Sequence, residues 1–341
     1  MRRVRFLTVF VLIFIMIFSV ACGKKASSDG EKLKVGMVTD VGGVNDQSFN
    51  QSAWEGLQQA RDELGIDVGY VESKQDADYP QNMETMLDSD NDLIWGIGFK
   101  MGDIVKEVAE TNPEQKYGII DFSYGPGTPE NVVGVLFRIY EATFLVGYIA
   151  AEMTKTNVIG FVGGIKIPLI EEFEFGYIAG AKYANKDIQV LSQYAASFSD
   201  AAKGKAIANQ MYTQKADIIF HAAGGVGDGV IEAAKEQEKY AIGVDRDQSY
   251  LAPNNVITSA MKLVGQAIYN VIEDLQDGEF AGGTTITYGL AEGGVGIAPT
   301  SGKLVPQEIL DEAKKIEKKI IKKEIDVPYT AQALKQFIGN L

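Results

Sequence analysis

The residues in this chain that could do chemistry are mostly acidic. Asp40, Asn45 and Asp46 share one polar loop, Asp121 closes the run YGIID, and Asp245 and Asp247 follow YAIGV. Lys262 ends VITSAMK, and the single histidine, His221, lies inside an apolar run. One histidine and one cysteine cannot assemble a zinc cluster, His221 in its apolar run reads as structural rather than as a triad base, and a lone cysteine forms no internal disulfide. Asp245 and Asp247 alone do not supply the oxygens that calcium requires. The glycines at 224, 225, 227 and 229 follow a strand-like run, as in a phosphate-cradling loop. They lack the Lys-Ser/Thr of a P-loop and are out of register for G-x-G-x-x-G. Their bare N–H groups suit neutral hydroxyls or close helix–sheet packing. Recognition by hydrogen bonds remains: a carboxylate can accept two hydroxyl hydrogens of a ribose when water is excluded. Phe49 is a large ring placed where the polar loop turns into a helix. It fits a hydrophobic staple on its own first turn, or a stacking surface for a flat ligand beside Asp40, Asn45 and Asp46.

Strands and helices must bring these residues together. Strands are predicted at 35–38, 68–71, 93–97, 117–120, 132–137, 158–162, 189–194, 218–221, 241–244 and 256–260. Helical periodicity fills 49–64, 81–87, 104–110, 142–153, 171–184, 201–212, 230–237, 264–275 and 306–323. Runs this apolar fit strands covered on both faces, and therefore largely parallel sheets. Ten strands are many for one open sheet, so two doubly wound sheets are expected, with the break between 138 and 155. In such sheets ligands bind beyond the carboxyl ends of the strands. Asp40, Asp121, Asp245 and Lys262 all lie at or just past strand ends, so they can converge on one cleft. Read singly, each is a helix cap or a solvated loop end.

The first 21 residues carry Arg2, Arg3 and Arg5 ahead of an apolar stretch at 6–20, which reads as a signal peptide too short to span a bilayer. Ser19-Val20-Ala21-Cys22 resembles a bacterial lipoprotein box, with Ser19 in place of the usual Leu, and the resemblance implies diacylglycerol on Cys22. An ordinary signal peptide or an uncleaved anchor is the alternative. Residues 22–32 form a polar tether. Removing residues 1–21 takes the formal charge from −14 to −17, which argues against a nucleic-acid partner. About 320 remaining residues fit two domains.

The segments TDVGGVNDQSFNQSAWEG, FRIYEATFLVGYIAA, IGFVGGIKIPLIEEFEFGYIAGAK, ADIIFHAAGGVGDGVIEAAKE, YAIGVDRDQSYLAP and VITSAMK resemble the basic membrane protein family of substrate-binding lipoproteins. Within it they are most similar to the purine nucleoside receptors of ABC transporters. The resemblance implies a type I periplasmic-binding-protein fold, with two Rossmann-like lobes joined by three crossovers near 137–141, 259–262 and 293–298. The lobes would be 33–138 plus 263–293 and 139–262 plus 294–341. It implies a purine nucleoside (guanosine, inosine or adenosine) held between the lobes, its base between Phe49 and a second ring. That ring is Phe220 or Phe198, with Phe220 favoured because it adjoins the glycine loop. Base contacts fall on Asp40, Asn45 or Asp46, and Asp121; ribose contacts fall on Gly225, Asp245 and Lys262. Asp121 could take two N–H donors from the N1/N2 edge of guanine, which adenine does not offer. The implied partners are a permease and, through Cys22, the extracytoplasmic face of the cell membrane; the protein is expected to be a monomer without cofactor or metal. A nucleoside hydrolase or phosphorylase would need clustered aspartates or a cationic phosphate pocket, so no enzyme is expected. A DNA-binding regulator of the same fold would need a DNA-binding head. A sugar or another small polar molecule is the alternative ligand.

Overall fold

The computed structural model describes residues 32–341. The signal peptide, Cys22 and nearly all of the tether lie outside the described residues. The first five strands are β1 (Lys34–Val38), β2 (Asp67–Val71), β3 (Leu93–Ile97), β4 (Lys116–Ile120) and β5 (Val132–Phe137). Between them run α1 (Phe49–Leu64), α2 (Tyr79–Leu87) and α3 (Gly102–Thr111). The pattern then repeats with α4 (Ile139–Met153), β6 (Val158–Gly163), α5 (Pro168–Ala184), β7 (Gln189–Tyr194), α6 (Ala201–Thr213), β8 (Ile218–Ala222), α7 (Val226–Glu236), β9 (Tyr240–Asp245) and β10 (Val256–Lys262). The chain ends with α8 (Val264–Gln276), β11 (Thr284–Tyr288), β12 (Val295–Ile297), α9 (Gln307–Ile321) and α10 (Ala331–Gly339).

Two six-stranded sheets result, ordered β11-β5-β4-β3-β1-β2 and β12-β10-β9-β8-β6-β7. Every pairing is parallel except β10 with β12. Stripped of β11 and β12, the two orders are the same, each reversing direction beside its first strand, where open α/β sheets take ligands. The chain changes sheet after β5, after β10 and after β11. The first two changes match in detail: Arg138 (φ −81°, ψ 61°) and Leu263 (φ −82°, ψ 61°) lead into α4 and α8 with the same backbone turn.

Central strands such as β3 and β8 are buried along their whole length, as apolar runs covered on both faces should be. The helix α4 is apolar nearly all round because it is enclosed by α5, α9 and the second sheet. Glycine permits the closest helix pairs. A Cβ on Gly180 of α5 would lie 1.9 Å from the Phe144 carbonyl oxygen of α4, and one on Gly56 of α1 would lie 2.3 Å from that of Gly265 in α8. The expected α/β architecture is present, with three additions. The edge strand β11 alternates Thr with Ile and Tyr and is half-exposed, β12 has three residues beside glycines, and α10 has no buried residue. All three lack the apolar runs by which strands and helices were read.

Candidate functional site

The loop from β1 to α1 is held by its acids. Asp46 caps α1 from below: its Oδ1 accepts the N–H groups of Ser48 (2.9 Å) and Gln51 (3.1 Å), and its Oδ2 accepts that of Asn50 (2.9 Å). Four helix-start donors lack partners in any α-helix, and a carboxylate there also suits the helix dipole. The Asn50 amide bridges Asp46 (2.9 Å) and Asp40 (2.8 Å), and Asp40 also accepts the Gly42 N–H at 2.9 Å. Burial raises the Asp40 carboxyl above its usual range despite those two donors. This network ties the loop into one piece and presents Phe49 at its edge.

Asp121 and Asp245 come from equivalent places, at the ends of the fourth strand of each sheet. Both have positive φ, 65° and 62°, a conformation that Asp tolerates better than most side chains. Asp121 Oδ2 accepts from Lys262 Nζ at 2.5 Å, while its Oδ1 is buried without a partner among the described residues. Asp245 accepts the Ser48 hydroxyl from the opposite half and is pushed up to about 6, chiefly by burial. The Lys262 ammonium, on a residue only 2% exposed, lies 4.8 Å from the Phe49 ring centre, 5.2 Å from Phe137 and 5.9 Å from Phe173. Aromatic faces attract a cation, so three rings and one carboxylate hold this ammonium between the two sheets.

These groups line a cavity between the sheets. Asp40, Asp46, Phe49, Asp121, Phe198, Asp245 and Lys262 all line it; Asn45, Phe220 and Gly225 do not. The preference for Phe220 is therefore corrected. Its ring sits mid-strand in β8, fully buried against Tyr177 (centroids 5.2 Å apart) and Phe161 (5.7 Å), and adjoining the glycine loop in sequence does not bring it to the strand end. Phe198 reaches the cavity from the loop before α6, where bare Gly164 makes room; a Cβ there would lie 2.3 Å from the ring. Asn45 points away and is exposed. Gly225 starts α7, and its neighbour Gly224, with φ +54°, takes the lining position. Asp46 is at the wall, but both its oxygens are engaged by α1, so its first role is to cap.

Other residues at or near the wall were missed, among them Phe173, Asn50 and Glu172. Phe173 lines the cavity but falls in helical step with Ile170 and Tyr177, so by periodicity it reads as core. Asn50 sits inside the first turn of α1, where its bridging role depends on the loop's path. Glu172, half-buried, is pushed up to about 7, first by burial and then by the charge of Asp121, against the pull of Lys262. His221 is fully buried and pushed down to about 4 by burial, as a structural histidine should be.

Two doubly wound sheets with the same strand order, three chain passages between them and a cavity at their carboxyl ends define a two-lobed periplasmic-binding-protein fold. Residues 33–331 match the family of ABC transporter substrate-binding proteins described as PnrA-like. The chain is 44% identical to basic membrane protein A1 of Borrelia garinii subsp. bavariensis, covering 96% of this chain and 98% of that one. It is 40% identical to the CD4+ T-cell-stimulating antigen of Listeria innocua serovar 6a, over 90% and 93% of the two chains. Among solved structures it resembles an ABC transporter solute-binding protein from Aeropyrum pernix, with a TM-score of 0.81, 29% identity, and 90% and 97% covered. The chain belongs to the PnrA-like family of ABC transporter substrate-binding proteins. Its role is to bind a solute, not to transform one, and membership implies a small-molecule ligand, a permease partner and an extracytoplasmic location.

Proposed function

We propose that the cavity is the solute site and that the solute is a purine nucleoside, delivered to a permease by a protein anchored through lipid on Cys22. The observation that carries this reading is one buried oxygen, Asp121 Oδ1, left without a partner beside the rings of Phe49, Phe173 and Phe198. Buried acceptors rarely go unpaired, and this one calls for an N–H or O–H donor on the ligand. A phenyl face contributes about 1–3 kcal/mol per stacked base, whichever base it is. Flat rings together with a demand for donors suit a nucleobase with an N–H edge. Asp245 and Lys262 then serve the ribose hydroxyls, with the turn at Gly224 beside them. The two lobes 33–138 plus 263–293 and 139–262 plus 294–341 close on the ligand as hinged bodies.

Native mass spectrometry of freshly purified protein, followed by calorimetry with guanosine, adenosine and ribose, tests the ligand. A nucleoside carried through purification, or tight binding of guanosine, is expected. Binding of sugars with no response to any nucleoside would overturn the reading. For the anchor, Cys22→Ser should move the protein out of the detergent phase; an unmodified, water-soluble wild type would refute it.

A further inference from the structure

The segment after β9, residues 246–250, crosses to the loop before α1, and the solute reading leaves it without a role. Gln248 is fully buried. Its Oε1 accepts the Val244 N–H at 2.9 Å and faces His221 Nε2 at 3.0 Å, both within the second lobe. An amide oxygen can only accept, so His221 carries its proton on Nε2, consistent with an Nδ1 that has no partner among the described residues. The amide's other end, Nε2, donates to the Gln47 carbonyl at 3.0 Å, and Gln47 belongs to the first lobe. Gln47 has φ +56°, which an L side chain adopts at a cost. Its own amide oxygen accepts the Tyr250 hydroxyl, and Arg246 pairs with Glu55 of α1. Glu55 is 46% exposed and Tyr250 50%, so water and salt weaken those two contacts. Of the three contacts made by this segment the Gln248 bond is the least exposed: the Gln248 side chain is fully buried and Gln47 partly so.

We propose that Gln248 is a positioning residue that latches the two lobes together: its single donor to Gln47 governs how long a bound solute stays. The proposal rests on the cavity being the solute site. One end of this amide is committed to the second lobe, so the other meets Gln47 at one separation of the lobes. That separation is also the one at which Ser48 reaches Asp245 and Phe49 reaches Lys262. An encounter with open lobes precedes this bond, whereas release requires breaking it. The latch should therefore act on the release rate and leave association alone.

Gln248→Glu separates latch from scaffold. It keeps an acceptor for Val244 and His221 but sets a carboxylate oxygen against the Gln47 carbonyl, two acceptors with no proton between them. Stopped-flow fluorescence of the whole mature chain with guanosine should show release on the order of tenfold faster, with association within about twofold of wild type. Unchanged release would overturn the latch, and so would an effect confined to association. If Gln248→Glu does not fold, Gln248→Met gives the same decision, since it too lacks the donor. A second readout needs no nucleoside: fluorophores on Asp62→Cys in α1 and Gln237→Cys after α7, in a Cys22→Ser chain, report lobe separation. Gln248→Glu should lengthen the mean distance, and an identical distance would overturn the latch. Failure of wild type to bind guanosine sinks the nucleoside reading, and the distance measurement then decides the latch by itself.

Discussion

Asp121 and Asp245 occupy the same position in two sheets of the same order, with the same left-handed backbone and each almost fully buried. Their chemistry nevertheless differs. Asp121 takes a hydrogen bond from the ammonium of Lys262, which ends the fifth strand of the other sheet, whereas Asp245 feels that charge without bonding to it and takes its hydrogen bond from the hydroxyl of Ser48. The equivalent of Lys262 in the first sheet is Phe137, which has no charge to offer Asp245. Two copies of one backbone device have thus become a charged end and a hydrogen-bonding end of a single cavity. The backbone fixes where a carboxylate stands, and the partner on the opposite half decides what it can do there.

The comparison is broken most severely by Asp121→Ala. It strands the Lys262 ammonium among three rings with its nearest counter-ion gone, and losing one partner of a buried pair typically costs about 3–5 kcal/mol. Urea denaturation should show that loss, and adding Lys262→Met should restore most of it; no restoration would mean the pair is not what holds this end. Asp245→Ala should leave folding much closer to wild type and act on binding instead. A loss of about 2–5 kcal/mol for guanosine, with guanine little affected, would place its partner on the ribose. Equal loss of both in calorimetry would reduce Asp245 to a structural acceptor for Ser48. Phe49→Ala belongs to neither end and should weaken all purine nucleosides alike, by about 1–3 kcal/mol. A variant that binds as wild type does would make the ring a staple for α1. The smallest effect expected is on pH dependence. Asp245 is pushed up to about 6, so between roughly pH 4 and 6 the folded chain holds a proton that the unfolded chain has lost. Its contribution to stability is therefore greatest at the acid end of that window, falls as pH rises through it and is flat above. Asp245→Asn should flatten that part of the Tm profile by roughly 2–4 °C, and an unchanged profile would show that this carboxyl does not carry the dependence.

Much of the fold was legible because buried parallel strands are written as continuous apolar runs, and the acids that close those runs mark the strand ends. Asp40, Asp121, Asp245 and Lys262 were placed at strand ends in that way, and all four line the cavity. The roles of particular side chains were harder to read. The strand reading already puts Phe220 inside 218–221 and Phe198 in the loop between 189–194 and 201–212; which of the two rings reaches the cavity depends on how the loops fold over the strand ends. Phe173 is hidden by its helical step with true core residues, and Asp46 looks like a ligand group until its four donors from α1 are traced. Gln248 carries no signal at all. Its importance comes from touching His221, Val244 and Gln47 at once, and that meeting exists only in three dimensions.

The strand β11 lies beside β5 in the first sheet, yet it follows the whole second sheet's run of five parallel strands in the chain. The helix α8, whose Gly265 meets Gly56 of α1, arrives equally late. A chain emerging from its amino end therefore cannot finish its first lobe when the residues of β5 appear. Residues 139–262 must emerge before the missing helix and strand can return to it. Until then one edge of β5 and one side of α1 stay uncovered, and such open edges invite pairing with other chains. Completion of the first lobe is thus a late step of high sequence separation, and slow on that account. The second lobe waits as well, for β12 at its edge and for α9, which covers α4. Synthesis order alone therefore does not set the order of closure: the half that begins the chain cannot close until all five parallel strands of the other have emerged.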